Sequence, residues 1–297
     1  MNQFVIETKG LTVYYGPHRG VVDVDLQVRP GEVFGFLGPN GAGKTTTQRV
    51  LLDVIRPSRG TAAIFGLDCQ REGVAVRQRV GYIPGELALP AMKAAAYLDM
   101  LTAVRGNNTD PAYRQELCDR LNLDTRRKIR EYSRGNKQKV GIVAAFMSRP
   151  DLLILDEPTT GLDPLVQQTV LDLVREARAE GRTVFLSSHI LSEVQAVCDR
   201  VGIIRDGALI KVEKVSDLLA RRLHRLRLQF RDPLTADDLR VEGISIIEHQ
   251  ENRVVVEVQD HLDTFIAQVA GFGIVDIETI ELSLEEVFLA YYGGGEK

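Results

Sequence analysis

The chain has 297 residues, 44% hydrophobic and 26% charged, with three cysteines and a net charge of −4. The length suits two domains of ordinary size and the composition an ordinary globular protein, while the small negative charge excludes the basic field of a nucleic-acid-binding protein. Cys69, Cys118 and Cys198 form no CxxC pair, which excludes a disulfide framework or a cysteine zinc site and fits a reducing cytosol.

In chain order, FVIETKGLTVYYG and VVDVDLQVRPGEVFGFLG alternate apolar and polar residues between Gly and Pro stops and read as strands, the last ending at Gly38. KTTTQRVLLDVI follows with helical spacing, and residues 92–105 and 111–121 have the same periodicity. DLLILDEP is a continuous apolar run ending in acids, as in a buried parallel strand. PLVQQTVLDLVREARAEG is an amphipathic helix closed by Gly181, RTVFLSSH another buried strand, and ILSEVQAVCD another helix. This strand–helix alternation predicts a doubly wound α/β core. The tail offers strand-like HRLRLQF, GISIIEH and NRVVVEVQ, helix-like HLDTFIAQVAG, then IVDIETIE and a last helix LEEVFLAYY, a small α+β module. RRLHRLRLQF reads as a half-solvated strand edge rather than a nucleic-acid patch, because aromatic residues do not interleave its arginines.

Charge divides the same way. Residues 221–297 hold 8 Lys and Arg against 15 Asp and Glu, while the remainder holds 29 against 26. With the polar stretch VEKVSDLLARR, this places a boundary near 215–222 and gives domains 1–220 and 221–297. No stretch reaches the roughly 18 apolar residues of a membrane span, and the opening MNQFVIETKG lacks a signal-peptide pattern. Any work at a membrane is therefore expected through a partner.

GPNGAGKT, Gly38 to Thr45, matches G-x-x-x-x-G-K-[ST] at every specified position, with a strand before it and a helix after it. Glycines let backbone N–H groups turn inward around phosphate oxygens, Lys44 adds a point charge at the β/γ-phosphates, and the Thr45 hydroxyl can ligate Mg²⁺. The helix that follows aims its positive end at the same anion. In LLILDE, Asp156 at the carboxyl end of a buried strand would hold Mg²⁺ directly or through water. Glu157 beside it would orient and deprotonate an attacking water. NKQK is not the guanine-reading Asn-Lys-x-Asp, since Lys139 stands where the aspartate would be.

GPNGAGKT, YSRGNKQ, LLILDEPTTGLD and LSSH, in this order, resemble the ATP-binding cassette ATPases over roughly residues 4–215. The resemblance implies a P-loop α/β core with a helical subdomain at about 87–131 lying against a membrane partner, plus the C-terminal α+β domain. It implies two cassettes closing head to tail on two ATP molecules. Each ATP is held by one copy's cradle (Gly38, Pro39, Asn40, Gly41, Ala42, Gly43, Lys44, Thr45 and Thr46) and by the other's signature motif, Tyr132 to Asn136, with Ser133 and Gly135 at its functional positions. Arg134 replaces the family's glycine, so that position does not require a positive φ.

By the same resemblance Asp163 crosses the dimer interface, although as an N-cap before Pro164 it also starts a helix well. His189 is the histidine that bonds the γ-phosphate and reaches the catalytic glutamate, and Tyr15, with Tyr14 as competitor, stacks on adenine. The family's glutamine after Y-x-P is absent: Gly85 stands there with Glu86 next, which puts the metal contact on that side in question. The ending SLEEVFLAYY resembles the extension of bacterial drug- and lipid-exporter ATPases. The chain is thus expected to be an exporter's ATPase subunit, using ATP and Mg²⁺, dimeric, without nucleic acid, cytoplasmic and peripheral to the inner face of the membrane beside a separate permease. A soluble cassette ATPase acting on ribosomes or another non-membrane partner is the alternative, but ribosome-acting ones usually carry two cassettes in one chain.

Overall fold

The computed structural model describes residues 3–106, 109–220, 224–235, 239, 244–258 and 262–280. They form two compact units, Met1–Lys214 and Val215–Lys297. The first begins with the hairpin β1 (Ile6–Tyr15) and β2 (His18–Val28), followed by β3 (Val33–Leu37), the helix α1 (Lys44–Leu51), β4 (Arg59–Ile64), β5 (Leu67–Asp68), α2 (Gly73–Gln78) and β6 (Val80–Ile83). Three helices follow: α3 (Ala94–Val104), α4 (Pro111–Arg120) and α5 (Arg134–Phe146). The unit finishes with β7 (Leu152–Asp156), α6 (Pro164–Ala179), β8 (Thr183–Ser188), α7 (Leu191–Val197), β9 (Arg200–Arg205) and β10 (Ala208–Lys214).

Two sheets result. The larger has the order β10-β9-β3-β8-β7-β6, parallel except for β10 at its edge. Every residue of β3, β7 and β8 is buried, as expected for strands covered on both faces. Phe36 and Phe185 meet at 5.4 Å between ring centroids, and Phe34 stacks on Phe185 at 5.9 Å. Burying each such ring contributes roughly 1.5–3 kcal/mol, enough to fix the order of these strands. The register sets Asp156 beside Ser187 and Leu37 beside Ser188, so three strands end together at one rim, where α/β sheets bind ligands.

The doubly wound reading needs one amendment. The first two strands do not join the parallel sheet; they pair with each other and with β4 in an antiparallel sheet, β2-β1-β4-β5. Their alternating pattern suits a sheet buried on one face, and the turn at Gly16, φ +60°, closes them as a hairpin. The expected helices at 92–105 and 111–121 are α3 and α4; α4 is capped by Asp110, which accepts a bond from the Ala112 N–H, with Pro111 in the first turn. Helix α6 ends at Ala179, and the chain turns at Gly181, φ +80°.

The second unit holds α8 (Val215–Ala220), β11 (His224–Phe230), β12 (Ile244–Gln250), β13 (Arg253–Val258), α9 (Leu262–Val269) and β14 (Ile274–Ile280). Its sheet is antiparallel, ordered β12-β13-β11-β14, over a core of its own that includes Leu228, Phe230, Val256 and Phe265. The strand expected at an edge, β11, lies between two others. Its leucines turn inward, while Arg225 pairs with Glu257 at 3.2 Å and Arg227 with Glu278. The last expected helix, LEEVFLAYY, with the ending SLEEVFLAYY, lies outside the described residues.

Candidate active site

The loop from Gly38 to Gly43 joins β3 to α1, and its glycines answer to different demands. A Cβ at Gly38 would meet the Ile204 carbonyl oxygen at 2.2 Å, and one at Gly43 would meet Val21 Cγ1 at 2.5 Å, so these two are pinched between strands. Gly41, at φ +81°, has open space around its α-carbon and leaves the loop's outer surface accessible. No side chain caps α1 at Gly43, which leaves the N–H groups of its first turn to serve an anion. A cleft of about 160 Å³ opens here, lined by Pro39, Asn40, Gly41, Gly43, Lys44, Thr45, Thr46, Asp156 and Glu157. Of the expected cradle, Gly38 and the buried Ala42 are not on its wall; they shape the loop from behind.

Inside the cleft the polar groups are held in fixed positions. Lys44 is buried, and its Nζ donates to the carbonyls of Gly38 at 2.6 Å and Pro39 at 3.2 Å and lies 3.3 Å from Glu157 Oε1. Asp156, only 1% exposed, accepts from Thr45 Oγ1 at 2.7 Å and Ser187 Oγ at 2.5 Å. Glu157 has φ +51°, a left-handed backbone that turns its side chain off the strand axis into the cleft. Its Oε2 is 2.6 Å from His189 Nδ1, which fixes an N–H on that ring nitrogen, while Oε1 is buried without a hydrogen-bond partner. Nearby, burial together with the Asp156 charge pushes the Tyr82 phenol up to about 12, so it stays neutral.

The structure separates the other expected residues from this cleft. Ser133 caps α5, accepting from the Asn136 N–H at 3.3 Å, and Asp163 caps α6, accepting from the Val166 N–H at 3.1 Å. A Cβ at Gly135 would stand 2.8 Å from the Gly161 carbonyl oxygen, so glycine is needed there for close approach. Arg134 is the first residue of α5, has no positive φ, and lies alongside Gly161. Ser133, Gly135 and Asp163 do not line the cleft. Tyr15 ends β1 with its hydroxyl 3.3 Å from Thr46 Oγ1 and is itself 45% exposed, whereas the Tyr14 N–H bonds Ser58; geometry favours Tyr15 as the residue facing the loop. Ser187 and Gln138, whose Nε2 donates to the Pro158 carbonyl at 2.9 Å, were not anticipated. Each is recognisable only once the strand register and helix packing are known.

At the position of the missing glutamine, a Cβ on Gly85 would come 2.9 Å from Asp156 Oδ2, and Glu86 is exposed. Because two hydroxyls already hold the Asp156 carboxylate, Gly85→Ala must displace either it or the loop. A fall in ATP turnover of about tenfold is expected, measured by phosphate release; an unchanged rate would show the loop to be slack.

A glycine loop with a buried lysine, set between a parallel strand and a helix and facing a carboxylate pair, defines a P-loop nucleoside-triphosphatase. The family model for ABC transporter matches residues 21–160. The bacitracin transport ATP-binding protein BcrA of Bacillus licheniformis is 34% identical over 98% of both chains. The daunorubicin/doxorubicin resistance ATP-binding protein DrrA of Streptomyces peucetius is 39% identical over 75% of this chain and 70% of its own. Among solved structures, an ATP-binding subunit of an ABC transporter superposes with a TM-score of 0.67 at 30% identity, over 72% of this chain and 91% of that one. A dimeric cassette bound to ADP and Pi shares the fold, with a TM-score of 0.65 at 20% identity over 71% and 98%. The chain belongs to the ATP-binding cassette transporter family, as one of its ATP-binding, ATP-hydrolysing subunits.

Proposed function

We propose that this subunit drives export of a drug-like compound through a separate membrane permease, working as a head-to-tail pair at the inner face of the membrane. The observation that carries the catalytic part is Glu157, with one oxygen held by His189 and the other buried in the cleft 3.3 Å from Lys44. Lys44 is bonded to two neutral carbonyls, so phosphate oxygens of ATP offer it a stronger partner. Pro39 to Thr46 wrap the phosphates and Tyr15 presents its ring to the base. Ser133, Gly135 and Asp163 of a second copy complete the site, which accords with their position away from this copy's own cleft.

The donor set around Asp156 fits Mg²⁺: a buried carboxylate and the Thr45 hydroxyl, hard oxygens 2.7 Å apart. Among the described residues no cluster of three or more His, Cys, Asp or Glu would hold a metal unaided, so the ion would be shared with the phosphates, whose charge it offsets. Glu157 accepts a proton from water as the water oxygen bonds to the γ-phosphorus and the bond from that phosphorus to the oxygen bridging the β-phosphate breaks, so that ADP leaves with the electron pair and phosphate is formed. His189, holding Oε2, keeps the carboxylate oriented for that transfer. Residues 1–220 carry this chemistry, 221–297 form an accessory domain, and the helical stretch 87–131 faces the permease.

Export is supported by the names of the relatives, which speak of bacitracin transport and drug resistance; the ribosomal alternative draws no support from them. A role without nucleic acid is supported by the pairing of Arg225 and Arg227 with acids. Among the described residues no helix is long and apolar enough to cross a membrane, so attachment would run through the permease. In cells, affinity purification from detergent-solubilised membranes is expected to recover a multi-span protein in stoichiometric amount. Co-sedimentation with ribosomes instead would overturn the reading.

A further inference from the structure

Glu193, on α7, is 6% exposed, yet no cation pairs with it among the described residues. Its Oε1 accepts from Thr159 Oγ1 at 2.5 Å and its Oε2 from Ser188 Oγ at 2.8 Å; Thr159 and Ser188 are themselves buried. Ser188 Oγ in turn accepts from the Ile190 N–H at 2.9 Å. The two residues flanking His189 are thus tied to this carboxylate on one side. On the other side is Thr159, two residues beyond Glu157. Thr159 belongs to the segment that Gln138 anchors from α5 through Pro158. Where these two loops meet, His189 Nδ1 touches Glu157 Oε2 at 2.6 Å.

A buried carboxylate is a costly way to fill space; leucine packs a similar volume without desolvating a charge. What the carboxylate supplies that leucine cannot is two strong acceptors at a fixed separation, each taken by a different loop. Glu193 therefore sets the spacing of the loops carrying Glu157 and His189. It touches neither residue and stands outside the cleft.

We propose that Glu193 is a positioning residue for ATP hydrolysis: it clamps the Thr159 and Ser188 hydroxyls so that His189 holds the Glu157 carboxylate at bonding distance. This rests on the reading of Glu157 and His189 given above. Glu193→Ala is expected to lower kcat by about 10–100-fold, the range for losing a support behind a reactive group. Its ATP affinity should remain within about threefold, since no contact with the cleft is removed. Glu193→Gln should recover most of the loss, because an amide can still bond both hydroxyls once they rotate.

The deciding measurement is kcat for Glu193→Ala, His189→Ala and the double variant. If Glu193 acts through His189, the double variant is no slower than His189→Ala alone. Should Glu193→Ala fail to fold, Thr159→Val, which keeps the shape and removes one donor, is carried through the same cycle with the same expectation. A loss that multiplies undiminished in the His189→Ala background, or ATP affinity falling in step with kcat, overturns the proposal alone. A His189→Ala enzyme of unchanged kcat overturns the assignment of His189 and the proposal with it.

Discussion

Glu157→Gln is expected to slow ATP turnover by about 10²–10⁴-fold, the usual worth of a positioned general base, while ATP still binds. The amide keeps the shape of the side chain and can still accept the His189 Nδ1–H through its oxygen, so the backbone at φ +51° and the loop spacing need not change. What is lost is a group able to take the proton from water. Removing a negative charge 3.3 Å from Lys44 also leaves that lysine more fully available to phosphate, so affinity should hold or rise. With hydrolysis blocked and nucleotide retained, two copies should remain closed on ATP and sediment as a dimer that the wild type forms only transiently. Analytical ultracentrifugation with and without ATP reads this directly. Wild-type turnover in this variant would remove Glu157 from the mechanism.

The second large effect tests the pairing itself. Lys44→Ala removes the one cationic side chain among the residues lining the cleft, and should abolish measurable turnover in a pure preparation. Ser133→Arg replaces a small N-cap hydroxyl with a bulky cation at the start of α5, and should do the same from the other side of a shared site. In a head-to-tail pair, a mixed dimer of these two dead proteins contains one site bearing both defects and one bearing neither. Equal mixing should therefore restore roughly a quarter of wild-type activity if the sites fire independently, since half the dimers are mixed and each has one intact site. No recovery in a mixture shown to exchange subunits would mean that Ser133 and Lys44 serve the same nucleotide within one chain.

The cleft was largely legible in the sequence because its lining is almost contiguous: Pro39 to Thr46 is one loop and helix start, and Asp156 and Glu157 are neighbours. Chemistry that needs a run of particular residues leaves a run to be read. Ser187 could not be assigned to Asp156 in advance, because their hydrogen bond exists only in the register of β7 against β8. The same holds for Gln138 and Pro158, twenty positions apart on a helix and a loop. The antiparallel sheet was missed for a related reason. β4, the strand RGTAAI, is exposed over its first half, and the two-residue β5 carries no periodicity at all; β4 becomes a strand by pairing with β1, and β5 by pairing with β4. For β11, alternation revealed the faces but not the neighbours, so a central strand passed for an edge.

Glu157 occupies a backbone region that costs an L-residue about 1–2 kcal/mol and a glycine almost nothing. The chain keeps its reactive carboxylate there because the His189 and Lys44 contacts hold it. A glycine at this position would relieve the backbone while stripping the counter-charge from a buried lysine, so the two effects oppose each other in the heat resistance of the protein. Any campaign to harden this subunit must therefore assay turnover at each round, because melting temperature alone does not report whether this carboxylate is still in place.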